Sequence, residues 1–217
     1  MEPSFIGRYR KCFEATWSDD TQVDDVRFVV LDCETTGLNP NADQIITIGA
    51  VAVQNDAILL GDSFEALLKI ARNTNAVTVH GVTRDDSRSG MEEPQALELF
   101  LDYLRDGVIV GHHIGHDIAS LDAAYHRHWG FHLSNRCLDT KYLALHLHKA
   151  GAFSGRLQPR SFTLDALCEA FGVIPHDRHT AAGDAFLTAQ IFLRLRRLAA
   201  KHGRERLARI CEPFELG

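Results

Sequence analysis

The chain reads as an α/β layer fold built on a mixed sheet. Three observations predict it. Short apolar, β-branched runs alternate with stretches of helical periodicity. The first three strand-like runs follow closely, as an antiparallel meander does. Glycine and acidic clusters stand where strands end and helices begin, the place where such sheets build their sites.

Taken in order, strands are predicted near 27–31, 45–53 and 57–68, then a short helix around 75–80. A helix over about 94–105 turns Leu97, Phe100, Leu101 and Leu104 inward. A strand then ends at Gly111, and Ile118, Leu121, Ala124 and Tyr125 mark a helix that begins near Asp117. A strand near 136–138 and helices near 140–147, 163–171 and 181–201 complete the order, giving five strands in all. Residues 1–25, with Trp17 and the acidic run Ser18-Asp19-Asp20, form either a packed arm or a flexible lead. Residues 149–159 are rich in loop formers and read as a mobile loop, whereas 201–212 read as a charged helical stretch.

At 217 residues, 45% of them hydrophobic and 24% charged, the chain fits one soluble domain with a sizeable core. No apolar run approaches the roughly 20 residues of a membrane helix, and the start lacks the basic flank and apolar core of a signal peptide. A cytoplasmic protein with no membrane partner is expected. The five cysteines show no paired spacing and read as thiols of a reducing compartment, with Cys33 and Cys168 in the core. A net charge of -6 disfavours sequence-indifferent grip along a duplex, which relies on Lys and Arg. Local cations remain at Arg84, Arg88, Lys141, Lys149, Arg156, Arg160 and Arg178.

Three motifs carry chemistry. In Asp32-Cys33-Glu34-Thr35-Thr36-Gly37-Leu38 the two carboxylates share one face of a strand and Cys33 the other. Their repulsion is relieved by cations, and clustered carboxylates suit hard ions such as Mg²⁺ or Mn²⁺. Asp117 falls in the first turn of a helix after Gly111-His112-His113. Asp184 follows His179-Thr180-Ala181-Ala182-Gly183, small residues that let a helix lie close to another surface. Singly, each has a structural reading as well: a strand end, a helix-dipole partner, a tight helix contact.

Together, D-x-E-T-T-G-L, G-H-x-x-x-x-D at Gly111 to Asp117 and H-x-x-x-x-D at His179 to Asp184 resemble the DEDDh family of 3′-to-5′ exonucleases. Val79-His80-Gly81-Val82-Thr83, Cys137-Leu138-Asp139-Thr140 and Phe162-Thr163-Leu164-Asp165 echo it in the same order. The resemblance implies an RNase-H-like exonuclease fold, with a central mixed five-stranded sheet flanked by helices. It implies an N-terminal arm over 1–25, an exonuclease domain over 26–202 and a C-terminal tail over 203–217.

It further implies two divalent cations, Mg²⁺ or Mn²⁺, on Asp32, Glu34, Asp117 and Asp184, with His179 as general base. Thr35, Thr36, Leu38 and His80 would meet the terminal nucleotide. The expected activity is hydrolysis of phosphodiester bonds at 3′ ends of single-stranded or frayed DNA or RNA, DNA favoured, releasing nucleoside 5′-monophosphates. The partners expected are those 3′ ends and a separate DNA polymerase subunit. The alternatives are a nucleic-acid-end binding or regulatory module of a polymerase assembly and a phosphodiesterase for very short oligoribonucleotides. His113 and His116 depart from the family pattern, where asparagine and an aromatic residue are usual. Their spacing lacks a zinc motif, and they read with His112 as rim residues hydrogen-bonding Asp117 or a substrate phosphate.

Overall fold

The computed structural model describes residues 3–70, 90–153 and 159–211. Its strands are β1 (Phe28–Thr35), β2 (Ile45–Gln54), β3 (Ala57–Leu67), β4 (Val108–Gly111) and β5 (Cys137–Asp139). They form one sheet of five strands in the order β3-β2-β1-β4-β5. β1, β2 and β3 make the antiparallel meander, and β4 and β5 run parallel to β1.

The helices are α1 (Ser4–Cys12), α2 (Glu93–Leu104), α3 (Gly115–Trp129), α4 (Thr140–Lys149), α5 (Leu164–Phe171), α6 (Ala181–Lys201) and the short α7 (Leu207–Ile210). Strand alternation divides them between two cores. Val29, Leu31 and Cys33 pack with α1, α2 and α3, while Phe28 and Val30 pack with α4, α5, α6 and α7 on the other face.

β1 runs on to Thr35 instead of stopping near Leu31. The reason is β2, which continues to offer partners, Gly49 to Asp32 and Thr47 to Glu34, before the register shifts ahead of Thr35. The charged helix expected over 201–212 is not one element. α6 ends at Lys201, Gly203 turns the chain at φ +73°, and Leu207 and Ile210 fold back into the core as α7.

The arm is packed: Phe5, Ile6 and Tyr9 are buried, and the Tyr9 hydroxyl lies 2.5 Å from Asn135 Oδ1. Residues beyond α1 pair with the chain's other end. Val23 N–H donates to Glu205 O at 2.9 Å, Leu207 N–H to Thr21 O at 2.9 Å and Ala208 N–H to Asp19 O at 3.1 Å. Nearby, near the C-terminal end of α6, Arg196 is tied to Asp24 at 2.7 Å and hydrogen-bonded to Asp56, which also accepts from Arg197 Nε at 2.9 Å.

All five cysteines are free thiols, with Cys33 and Cys168 buried. Among the described residues no helix is long and apolar enough to cross a membrane. The helix expected over 75–80, His80, Arg84, Arg88, Arg156 and the middle of the 149–159 loop lie outside the described residues.

Candidate metal centre

The centre forms where α6 begins against β1 and β2. Asp32 faces Gly49 across the ladder, and a Cβ at Gly49 would stand 2.3 Å from the backbone of Ala181. Only glycine lets the helix start that close. A Cβ on Gly183 would meet Asp177 O at 2.1 Å, so the turn into α6 is equally tight. Thr180 caps the helix, accepting from Gly183 N–H at 3.1 Å. Asp184, in the first turn, is thereby carried onto the strand, and one oxygen each of Asp32, Glu34 and Asp184 lies within 4.8 Å of the others.

Asp117 arrives from the first turn of α3, buried, and its Oδ1 accepts the Cys33 N–H at 2.8 Å. It stands beside the three clustered carboxylates, anchored to the backbone between two of them. Burial raises Asp32 well above the usual carboxylate range, and Asp117, Glu34 and Asp184 push it further. Burial, then Asp184 and Asp117, push Glu34 up to about 7. Asp117 is raised chiefly by its burial.

One cation reaches in. Arg178 contacts Asp184 Oδ1 and donates from Nε to Asp165 Oδ1 at 2.7 Å, holding Asp165 below its ordinary range. It offsets only part of the repulsion felt by Asp32 and Glu34. Desolvated oxygen donors that repel one another are a fitting cage for hard divalent cations.

His179 is exposed at the rim with φ +63°, and its backbone N–H points at Asp184 Oδ2, 3.3 Å away. Thr35 donates to Gly37 O at 2.8 Å and meets His116 Nε2 at 3.2 Å. The Thr36 hydroxyl is taken up within its turn, donating to Asp43 at 3.0 Å and accepting from Gln44 N–H at 2.9 Å. Leu38 is 86% exposed.

Among the described residues none of the three histidine rings bonds Asp117, whose Oδ1 takes the Cys33 N–H. His116 binds Thr35, and His112 Nδ1 lies 3.0 Å from the Thr140 hydroxyl, its imidazole pushed down by burial to about 4 and so neutral. His113 stacks on His112 with centroids 5.6 Å apart, and its N–H donates to Asp139 at 3.2 Å.

One contributor, Gly49, and the contacts of a second, Arg178, stand outside the sequence reading. Gly49 had a signal, a glycine inside a strand pattern, which marks a close backbone approach. The placement of Arg178 between Asp165 and Asp184 had none, since its flanking position told nothing of its partners.

Residues 29–192 match the model of an exonuclease family, RNase_T. The chain is 35% identical over 195 residues to the DNA polymerase III PolC-type of Thermotoga maritima, covering 88% of this chain and 13% of that protein. It is 34% identical over 181 residues to a DNA polymerase III subunit epsilon-like protein of Rhodobacter capsulatus, covering 81% of this chain and 24% of the relative. The fold resembles E. coli Exonuclease I solved with a dT13 oligonucleotide, at TM-score 0.68 and 18% identity over 82% of this chain and 43% of the other.

Proposed function

Because this chain belongs to the RNase_T exonuclease family, we propose that it is a metal-dependent 3′-to-5′ exonuclease acting on single-stranded or frayed 3′ ends. DNA is the favoured substrate and nucleoside 5′-monophosphates are the products. The observation that carries this reading is the convergence of Asp32 and Glu34 on β1 with Asp184 at the start of α6, one oxygen of each within 4.8 Å of the others.

Asp32, Glu34, Asp184 and the adjacent Asp117 would hold two divalent cations, Mg²⁺ or Mn²⁺. When bound, such ions stabilise charge on phosphoryl oxygens and lower the pKa of water. The protein's own part is positioning and proton transfer. A strand of the central sheet and two helix starts fix the carboxylates, so little reorganisation is needed as charge develops. His179, beside Asp184, accepts the proton of the attacking water as general base. Thr35, held by His116, Thr36 through its backbone, and exposed Leu38 would meet the terminal sugar and base.

The relatives' names support a polymerase assembly as partner, since the matched stretch lies within far longer polymerase chains. The oligonucleotide in Exonuclease I supports single-stranded DNA as substrate. Residues 26–202 would be the exonuclease domain, with 1–25 and 203–217 flanking it.

Timed digestion of 3′- and 5′-labelled single-stranded DNA and RNA, with Mg²⁺, Mn²⁺ or chelator, tests the reading. A ladder shortening from the 3′ end that needs metal is expected. The His179→Ala protein should be slower by about 10²–10⁴-fold; a rate near that of the unaltered chain would remove the general base.

A further inference from the structure

A second concavity, of about 630 Å³, opens beside the metal centre and has no part in the scheme above. It is bounded by the turn from β4 into α3, by β5 and α4, and by α7. One end, at His113, Ile114 and Gly115, is the turn that launches the helix bearing Asp117. The other reaches Arg204, Ile210 and Cys211. The carboxyl ends of β1, β4 and β5 lie side by side, with Val30 opposite Val110 and Gly111 opposite Asp139. With neighbouring strands about 4.8 Å apart, the groove starts roughly 10 Å from Asp32.

Its chemistry is basic and aromatic. Lys141 and Arg204 are its cations, Arg204 held by Arg209 O and against His146 Nε2, with His113 alongside and one acid, Asp139. That carboxylate caps α4, its Oδ1 accepting from Lys141 N–H at 2.8 Å and His113 N–H at 3.2 Å. Burial pushes the thiols of Cys137 and Cys211 up, so they add no negative charge. Tyr142 is 49% exposed, offering a flat ring beside Lys141. Cations that follow a backbone and a ring on which a base can stack are what a single strand requires.

We propose that this groove binds the single-stranded nucleic acid upstream of the 3′-terminal nucleotides, with Lys141 against a phosphate and Tyr142 stacked on a base. The proposal rests on the exonuclease reading for the direction of the strand, not for its chemistry.

The test is equilibrium anisotropy of 5′-fluorescein dT10 and dT2 on the whole chain, beside the Lys141→Gln and Tyr142→Ala variants. Both side chains are surface-placed, and circular dichroism checks that the variants fold. Tyr142→Ala should weaken dT10 by about fivefold or more and leave dT2 within about twofold. Lys141→Gln should weaken dT10 and reduce the slope of log K against log salt by about 0.7. Unchanged dT10 binding, or equal loss on dT2, overturns the groove. Loss confined to dT10 in a chain that cleaves nothing would keep the groove and overturn the exonuclease reading instead. Cleavage with variant-insensitive binding would do the reverse.

Discussion

The two ends of α6 handle charge in opposite ways. At its start Asp184 joins Asp32 and Glu34 in a desolvated cluster and helps to raise both of them. Toward its other end, after most of 21 residues, Arg196 and Arg197 meet Asp24 and Asp56 and hold Asp56 below its ordinary range. One end carries repulsion that a ligand can relieve; the other is settled by the chain itself. The contrast separates a site from a staple: both are ionic, but only the first is improved by something added.

The largest effect should come from Asp184→Asn. Removing one charge from the cluster should abolish turnover in the digestion assay while the melting temperature in chelator holds or rises. A fall in melting temperature would place Asp184 with the stapling acids. Gly49→Ala comes next. The added methyl meets Ala181 backbone, which cannot turn aside, so the start of α6 must lift from β2. Overpacking of this kind costs about 1–3 kcal/mol, and activity should fall with it; thermal melts beside kinetics would read both.

Arg196→Ala should act at the far end alone. Its side chain is 7% exposed, but its acid partners reach water and can be rehydrated, so a loss of about 1–2 kcal/mol is expected. The melting temperature should drop by about 2–8 °C with kcat unchanged. A fall in kcat would show that the two ends are not separable.

The smallest and most informative effect is on pH. Below about pH 4.5, the ordinary value for glutamate, Glu34 is protonated folded or unfolded and costs nothing. Between there and about 7 the unfolded chain ionises while the folded site resists, so stability in chelator should decline as pH rises, then level off. Mg²⁺ or Mn²⁺ should therefore raise the melting temperature more at pH 8 than at pH 5. Equal gains at both would mean that the ions bind elsewhere.

Much of this contrast was legible in the residues. The alternation around Asp32, Cys33 and Glu34 placed both acids on one face, and the small residues before Asp184 announced a close helix contact. Helix starts at Gly115 and Ala181 also followed from local pattern. What local pattern could not give were pairings between distant segments. Local pattern ends β1 too early because its continuation depends on β2, and it does not settle the arm because the anchor, Asn135, lies far along the chain. The same holds for Arg178, whose role depends on where Asp165 comes to rest.

The antiparallel pairing of residues 19–23 with 205–208 also has a mechanical meaning. Ala208 is bonded to Asp19, Leu207 to Thr21 and Val23 to Glu205, so both outgoing chain directions leave from the same end of the pair. Tension applied at Asp19 and Ala208 themselves would peel these bonds one after another, as a zipper opens, instead of loading them together. Strain delivered at this corner would be spent there, and the central strand that holds Asp32 and Glu34 would feel little of the pull.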